Sequence, residues 1–290
     1  MNMLSQFNDV MTYIEENLMN EIETEKISLI AGCSEYHFRR MFSFLSGMPL
    51  GEYIRRRRLS LAGILLKSDK KKVIDLAFQF GYESPEAFSK AFLAMHGVTP
   101  SQAKKDSVKL KAFPPMTFQL SIKGGIEMDY QIIEKNAFNI AGFKKQITLQ
   151  FKGINPQMDT LTQKLTPDII AELKNLCDIK PMGILNVSAN FKEHTVEGSE
   201  LDQYIGVATT KMVPDHFDVL HVVPSTWAVF SVSGKFPNAL QETWAKIYSE
   251  WFPSSGYELT GGPEILWNES PDITKENYKS EIWIPVRKIG

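Results

Sequence analysis

The chain has 290 residues, of which 43% are hydrophobic and 23% charged, and its formal net charge is −2. This length predicts about two domains of ~100–200 residues, and the composition is ordinary for a soluble globular protein with a real core. The two cysteines lie far apart in the sequence, which favours reduced thiols in the cytoplasm and argues against a disulfide scaffold. No apolar run approaches the ~18 residues of a membrane span, so no membrane partner is expected.

The first 105 residues are predicted to be all helical, because helix starts, stops and apolar stripes follow one another. Ser84 and Pro85 suit a helix start, Gly97 suits its stop, and apolar residues recur between them at i, i+3, i+4 and i+7. The same pattern occurs fifty residues earlier, where Ser34 begins a similar helix. Two copies of a short helix, a turn and a capped helix predict two helix-turn-helix units joined by a long helix.

Positive charge is concentrated beside the first unit, since residues 39–72 contain ten basic and two acidic residues. The second helix of such a unit reads bases in the major groove with side chains near its start. A capped helix is usually a core helix and a charge run is usually a solvated face, but the repeat, the patch and the turn spacing together favour DNA binding. The candidate DNA-facing residues are Tyr36, Arg39, Arg40, Arg55, Pro85, Glu86, Ser89 and Lys90. Arg55 and Arg58 have an alternative, which is pairing with an acid such as Glu52.

The stretch from Gly81 to Pro100, with Ser84-Pro-Glu-Ala-Phe at its centre, follows a long and specific pattern. It resembles the second helix-turn-helix unit of the AraC/XylS family of bacterial transcription regulators, and Ser34 to Arg56 resembles the first. The resemblance implies an all-α DNA-binding domain over residues 1–108. It also implies that one chain contacts two successive major-groove segments of double-stranded DNA. One departure is Ala103-Lys104, where the family usually has an aromatic residue followed by Arg.

Residues 109–127 are predicted to be a linker, and residues 128–290 an α+β C-terminal domain of two strand-helix-strand-strand repeats. The order of apolar alternation and helical periodicity suggests a duplicated domain with a mostly antiparallel sheet. The candidate strands are 129–149, 182–190, 203–213, 217–234, 263–268 and 280–288, and the candidate helices are about 156–177 and 238–252.

Four residues of this domain are candidate ligand contacts. Glu281 and Trp283 share one face of the last strand, where a carboxylate beside an indole suits a planar or cationic ligand. Tyr204 holds the equivalent place in the first repeat, and pseudo-twofold symmetry would set it opposite Glu281 across a cleft. Trp244 begins an aromatic stripe with Tyr248 and Trp251. The alternatives are that the stripe is core and that the last strand is a solvated edge.

Met128-Asp-Tyr-Gln-Ile-Ile, the run from Trp244 to Leu259 and Glu281-Ile-Trp-Ile-Pro-Val286 resemble the gyrase-inhibitor-like effector-binding domain. The resemblance implies a cleft between two repeats that binds lipophilic, often cationic compounds. A carboxylate near the chain end that contacts such compounds matches Glu281. Some relatives are thought to hydrolyse reactive small molecules, which keeps a hydrolase open as an alternative.

No catalytic motif accompanies these features. The sequence lacks a Gly-rich phosphate loop, a His-Glu-x-x-His helix and a Gly-x-Ser-x-Gly elbow, and its five histidines are predicted to be surface or cap residues. No cofactor and no metal ion is expected. The sequence therefore predicts a transcription regulator that responds to a small-molecule effector, with RNA polymerase as a further possible partner. The alternatives are a hydrolase or sequestering protein fused to a DNA-binding domain, and a DNA binder with a C-terminal protein-interaction module.

Overall fold

The computed structural model describes residues 3–68, 71–105, 107–119, 128–149, 155–191 and 199–289. The chain forms two compact units. The first consists of Met1–Phe38 and Met48–Ser121, and the second of Arg39–Gly47 and Ile122–Gly290. Arg39–Gly47 therefore belongs to the C-terminal unit, although the sequence placed it inside the DNA-binding domain.

The first unit is all helical apart from its last stretch, which confirms the predicted fold class. Its helices alternate short and capped members around the long α4, as expected for two helix-turn-helix pairs. The helices are α1 Met3–Glu16, α2 Thr24–Ala31, α3 Glu35–Ser46, whose residues from Arg39 onwards lie in the second unit, α4 Leu50–Ser68, α5 Val73–Gln79, α6 Pro85–His96 and α7 Pro100–Ala103.

Helix α6 begins and ends where its sequence indicates. The Ser84 hydroxyl accepts a hydrogen bond from the Ala87 amide at 3.1 Å, and Gly97 ends the helix with φ at 78°, a left-handed conformation that favours glycine. Phe88 and Phe92 are fully buried against α4 residues in one apolar cluster. The opposite face therefore carries the exposed side chains of this helix.

Part of the predicted linker packs onto the helical unit. Asn8 forms two hydrogen bonds with the backbone of Phe118, donating from Nδ2 at 3.0 Å and accepting at Oδ1 at 2.7 Å. The Phe113 amide donates to Ser60 Oγ, and the Met116 amide donates to the Tyr53 hydroxyl. The described stretch 107–119 thus extends this unit, while the predicted linker residues 120–127 lie outside the described residues.

The second unit contains one antiparallel sheet, in the order β1-β6-β9-β8-β3-β4-β2-β5, with β7 paired to β9. The order is symmetric about the β3–β8 pair, which confirms the predicted duplication. The predicted strands 129–149 and 217–234 were each wrong as single strands, because each is divided into two strands that pair with different neighbours. The strands are β1 Tyr130–Lys135, β2 Phe138–Thr148, β3 Leu185–Ala189, β4 Glu200–Thr209, β5 Asp218–Val222, β6 Ser225–Gly234, β7 Tyr257–Leu259, β8 Glu264–Asn268 and β9 Tyr278–Lys288.

Both predicted helices of this unit are interrupted. Residues 156–177 form a short 3-10 turn, α8 Asp159–Thr162 and α9 Pro167–Leu176 instead of one helix. The break falls where Thr166 caps α9 and Pro167, which has no amide hydrogen, occupies its first position. Residues 238–252 form α10 Asn238–Lys246 followed by a π-helical turn, Ile247–Trp251, and then α11 Phe252–Ser255.

The two helical layers lie on the same face of the sheet. The ladder aligns Ile205 of β4 with Asn186, Leu266, Ile282 and Phe230 on the strands between the two ends. Helix α9 packs on Val207, which lies two residues after Ile205 on β4 and therefore on the same face. The π-helical turn packs on this face through the contact between the Trp251 and Phe230 rings. Strands β3 and β8 therefore lie between the two helical layers.

No helix among the described residues is long and apolar enough to cross a membrane. The described part of the chain also has no cluster of three or more His, Cys, Asp and Glu side chains that could hold a metal ion.

His96, predicted to be a surface or cap residue, is 5% exposed, so that prediction was wrong. Its Nδ1 accepts from the Lys111 amide at 3.2 Å, which leaves Nε2 as the donor to the Leu59 carbonyl at 3.1 Å. Burial, as the largest cause, lowers the pKa of the His96 imidazole. The neutral ring is thus fully hydrogen-bonded, and a second proton would face a backbone donor.

We expect the helical unit to lose stability as the pH falls below about 6.5, the ordinary histidine pKa. The unfolded chain takes up the proton first, because the folded pKa is lower, so protonation favours unfolding until the pH reaches the folded value. Each unit of separation between the two pKa values contributes about 1.4 kcal/mol. Urea unfolding followed by circular dichroism should show this slope in the wild type and lose it in His96→Gln. An identical slope in both would refute the assignment.

Candidate functional site

The predicted DNA-facing residues of α6 lie on its exposed side. Glu86 and Lys90 are exposed, and Pro85 and Ser89 are partly exposed. Phe88 and Phe92 hold the other side of the helix in the core, so the start of α6 is presented on a rigid support. This arrangement is compatible with groove reading, and the role of these four residues stays a prediction.

The four successive arginines of α4 are engaged by acids and carbonyls of the helical unit itself. Arg55 and Arg56 both bind Glu52, with N–O distances of 2.8 Å and 2.6 Å, as the pairing alternative for Arg55 predicted. Arg57 pairs with Glu15. Arg58 was expected to pair with an acid, but it donates to three backbone carbonyls, those of Leu18, Asn20 and Phe80. Arg55 and Arg56 keep 44% and 43% of their side chains exposed, so they can still meet a phosphate.

Arg40 was the third candidate from the first helix-turn-helix pair. It is buried within the C-terminal compact unit. One of its Nη atoms lies 2.5 Å from Glu264 Oε1, and its Nε donates to the Tyr248 hydroxyl at 2.9 Å. The guanidinium carbon stands 4.3 Å from the ring centre of Phe191 and 5.9 Å from that of Tyr248. Only 9% of the Arg40 side chain and 10% of that of Glu264 are exposed. In this conformation Arg40 is therefore a partner of Glu264 and is withheld from solvent.

Glu264 is the first residue of strand β8. It lies two residues before Leu266, so both side chains are on the sheet face that carries the helical layers. Burial raises the pKa of Glu264, while the charge of Arg40 and hydrogen bonds from Tyr248 and Arg40 oppose that rise. A buried carboxylate without such partners would be very costly. The site is thus built for a positively charged group with several donors, flanked by aromatic rings.

The π-helical turn sets the aromatic part of this site. Tyr248 lies in that turn, is 2% exposed, and stacks on Phe44 of α3 with ring centres 4.3 Å apart and an interplanar angle of 17°. Trp244, one turn earlier, stacks on Tyr248 from 6.1 Å. Such π-helical turns are frequent at functional sites because they change the direction of side chains within a helix. Trp244 thus lies beside an aromatic neighbour, and its role as a ligand contact stays a prediction.

The other predicted ligand residues lie on the opposite face of the sheet. Tyr204 and Trp283 are each 4% exposed, within one apolar cluster. The ladder joins Tyr204 through Val187 and Ile265 to Trp283, so these two rings lie in the same row of the sheet, and Glu281 lies two residues from Trp283 along β9. The pairing of Tyr204 with Glu281 across a cleft stays a prediction.

Glu281 lies at the edge of that cluster. Its Oε2 accepts a hydrogen bond from Trp283 Nε1 at 2.9 Å, and its side chain lines a cavity of about 530 Å³ together with Trp267, Lys246 and Lys279. The lining also includes Asp129, so its two lysines are matched by two carboxylates. The sequence missed Glu264, although its position at the start of a strand and its parity with Leu266 point it towards the helical layer.

Two family descriptions match this chain, one in each half. A helix-turn-helix domain matches residues 27–106, and a GyrI-like small molecule binding domain matches residues 128–287, which is more than half of the chain. The HTH-type transcriptional activator AarP of Providencia stuartii is 38% identical over 97 residues, covering 33% of this chain and 72% of that protein. The chain belongs to the AraC/XylS family of transcription regulators and carries a GyrI-like domain.

Further comparisons cover each half of this regulator. The regulatory protein SoxS of Escherichia coli K12 is 32% identical over 93 residues, which span 32% of the regulator and 87% of SoxS. For the second half, the solved structure of SAV2435 bound to tetraphenylphosphonium superposes with a TM-score of 0.44 and 21% identity. That match covers 55% of the regulator and 94% of the other chain.

We expect Tyr248→Phe to weaken the Arg40–Glu264 site without removing the ion pair. The Tyr248 hydroxyl accepts from Arg40 and donates to Glu264, so its loss should cost about 1.5–3 kcal/mol and raise the pKa of Glu264 further. Urea unfolding followed by tryptophan fluorescence measures the first effect, and carboxyl ¹³C NMR measures the second. Tyr257→Phe, in the same unit but outside this site, is the control. Equal stabilities of the two variants would contradict the assignment.

Proposed function

We propose that this regulator binds duplex DNA with its helical unit and takes an organic cation at Glu264 as its effector. The observation that carries the effector class is the guanidinium of Arg40, which the site holds with a carboxylate, a hydroxyl and the face of Phe191. A planar or lipophilic cation offers the same combination of positive charge and apolar surface. The GyrI-like family description supports a small-molecule site in this part of the chain.

For DNA, we propose that α3 and α6 are the reading helices, with Tyr36, Arg39 and Arg40 on the first and Pro85, Glu86, Ser89 and Lys90 on the second. Arg55 would contact a phosphate beside them. Because Arg57 and Arg58 are used inside the helical unit, the phosphate-contacting charge is smaller than the ten basic residues of 39–72 suggest. RNA polymerase is the partner through which DNA binding would change transcription, and the cytoplasm is where we expect the regulator to act.

Two alternative functions can each be tested by a specific experiment. A hydrolase would use Glu281 as a general base on water in its cavity, and turnover of a reactive ester by the full chain that is lost in Glu281→Gln would reveal it. A purely protein-binding C-terminal unit would bind no organic cation at all. The buried carboxylate already engaged by a cation favours ligand sensing over both.

We expect DNA affinity to fall steeply with salt, because each neutralised phosphate releases counterions. With a duplex that the full chain selects from a random pool, Lys90→Ala should reduce the salt slope by about one if Lys90 meets a phosphate. Arg39→Ala should cost about 1–3 kcal/mol at one base position if Arg39 reads a base. Lys174→Ala, on α9 of the other unit, is the control. A flat salt response would argue against DNA binding.

We expect phenylguanidinium, which joins the group of Arg40 to an aromatic ring, to bind the regulator. In an Arg40→Met chain, where the guanidinium of Arg40 no longer occupies the site, adding Glu264→Gln should lower that affinity at least about tenfold, as for loss of a ~1.4 kcal/mol charged contact. All five tryptophans lie in the C-terminal unit, and Trp244 stacks on Tyr248, so tryptophan fluorescence reports binding. Glu281→Gln is the matched control and should bind normally. The reverse result would make Glu281 the anchor, as the sequence predicted.

A further inference from the structure

Arg40 and Phe44 together have the chemistry that we propose for the effector. They lie four residues apart on α3, so they point the same way from one face of the helix. Arg40 supplies a guanidinium to Glu264, and Phe44 supplies a ring that stacks on Tyr248. A cation attached to an aromatic body would present the same two groups. The C-terminal end of a predicted DNA-reading helix therefore fills an effector-type site.

We infer that Arg40 and Phe44 act as a built-in ligand of the Glu264 site, which an organic cation displaces. This inference rests on the proposed function, because it needs the effector to bind at Glu264. Glu264 Oε1 and the Tyr248 hydroxyl are already occupied by Arg40, so a cation that binds these two atoms must displace it. Effector binding and Arg40 docking are then mutually exclusive, and each lowers the apparent affinity of the other.

The consequence for DNA follows from where Arg40 lies on the chain. Helix α3 is the second helix of the first helix-turn-helix unit, the element that enters the major groove in this class of domain. While Arg40 is docked, its guanidinium is buried and paired, so it cannot contact a base or a phosphate. An effector that replaces Arg40 at Glu264 releases it for DNA. The effector thus raises the DNA affinity, because Glu264 no longer competes with DNA for the Arg40 side chain.

The arrangement also makes docking sensitive to pH. Among the described groups, those that face Glu264 are Arg40 and the Tyr248 hydroxyl, and both lower its pKa when Arg40 is docked. When Arg40 leaves, the pKa of Glu264 rises, because the charge and hydrogen bond of Arg40 are lost. Arg40 docking is therefore strongest at pH values above the pKa that Glu264 has when Arg40 is undocked. It weakens as the pH falls from that value through the pKa that Glu264 has when Arg40 is docked.

The first test measures phenylguanidinium binding to the full chain by tryptophan fluorescence. Arg40→Met should bind it at least about tenfold more tightly than the wild type, as expected if the site is free about a tenth of the time or less. Phe44→Ala, which removes the stacked ring and keeps every charge, should also bind more tightly, by a smaller factor. Arg56→Met, on α4, is the matched control and should equal the wild type. The Phe44 variant serves as the main comparison if Arg40→Met fails to fold by circular dichroism.

The measured affinities distinguish loss of the competition by Arg40 from absence of the cation site itself. Equal affinities in the wild type, Arg40→Met and Phe44→Ala would overturn the competition and leave the cation site standing. Absence of binding in all three would overturn the cation site and the inference with it. Tighter binding in both variants, abolished when Glu264→Gln is added, supports both.

The second test measures affinity for the duplex selected by the full chain. Glu264→Gln leaves the DNA-reading helices intact and weakens Arg40 docking, so it should bind that duplex more tightly than the wild type without any cation. Saturating phenylguanidinium should bring the wild type to the same affinity and should not change the variant. A cation that lowers DNA affinity, or a Glu264→Gln variant that binds DNA as the wild type does, would contradict the release of Arg40.

Discussion

The buried ion pair between Arg40 and Glu264 is the constraint around which the C-terminal unit is arranged. Two charges removed from water stabilise the fold only when their mutual geometry is good. Here the distance is 2.5 Å, the Tyr248 hydroxyl bridges both charges, and the Phe191 ring covers the guanidinium. A carboxylate at this position therefore requires a cation, and the chain supplies one from its own α3.

The symmetric sheet explains why such a site exists where it does. Duplication places β3 and β8 side by side at the centre, with a helical layer over each half of the sheet. Strands β3 and β8 lie between these two helical layers. Glu264 begins β8 on the face that carries these layers, and the π-helical turn directs Tyr248 towards it. The same register sends Tyr204 and Trp283 to the other face, where they complete an apolar core.

The arginines of α4 pair mainly with acids and carbonyls of the same helical unit. Arg57 and Arg58 fasten α4 to α1 and to the chain segments that follow α1 and α5, through Glu15 and backbone carbonyls. Arg55 and Arg56 share Glu52 at the surface, where ion pairs contribute little and exchange readily with phosphate. A basic stretch in the sequence thus includes arginines that are used inside the fold, which its residue types alone do not show.

The sequence by itself determined the elements that depend on near neighbours. Ser84, Pro85 and Gly97 delimit α6 because capping acts over three or four residues, and the fifty-residue repeat gave both helix-turn-helix pairs. The duplication of the second unit was also readable, since strand and helix periodicities recur in the same order. Exposed Glu86 and Lys90 follow from the same helical stripe.

Only the tertiary structure decided what depends on long-range pairing. Alternation along β9 shows that Glu281 and Trp283 share a face, but the register across four strands decides that Tyr204 aligns with Trp283. Nothing within a few residues of Arg40 indicates that its partner is Glu264, more than two hundred positions later. Ion pairing of this kind is set by where strands and helices meet, so a residue assigned to DNA by local pattern can instead lie in a buried ion pair.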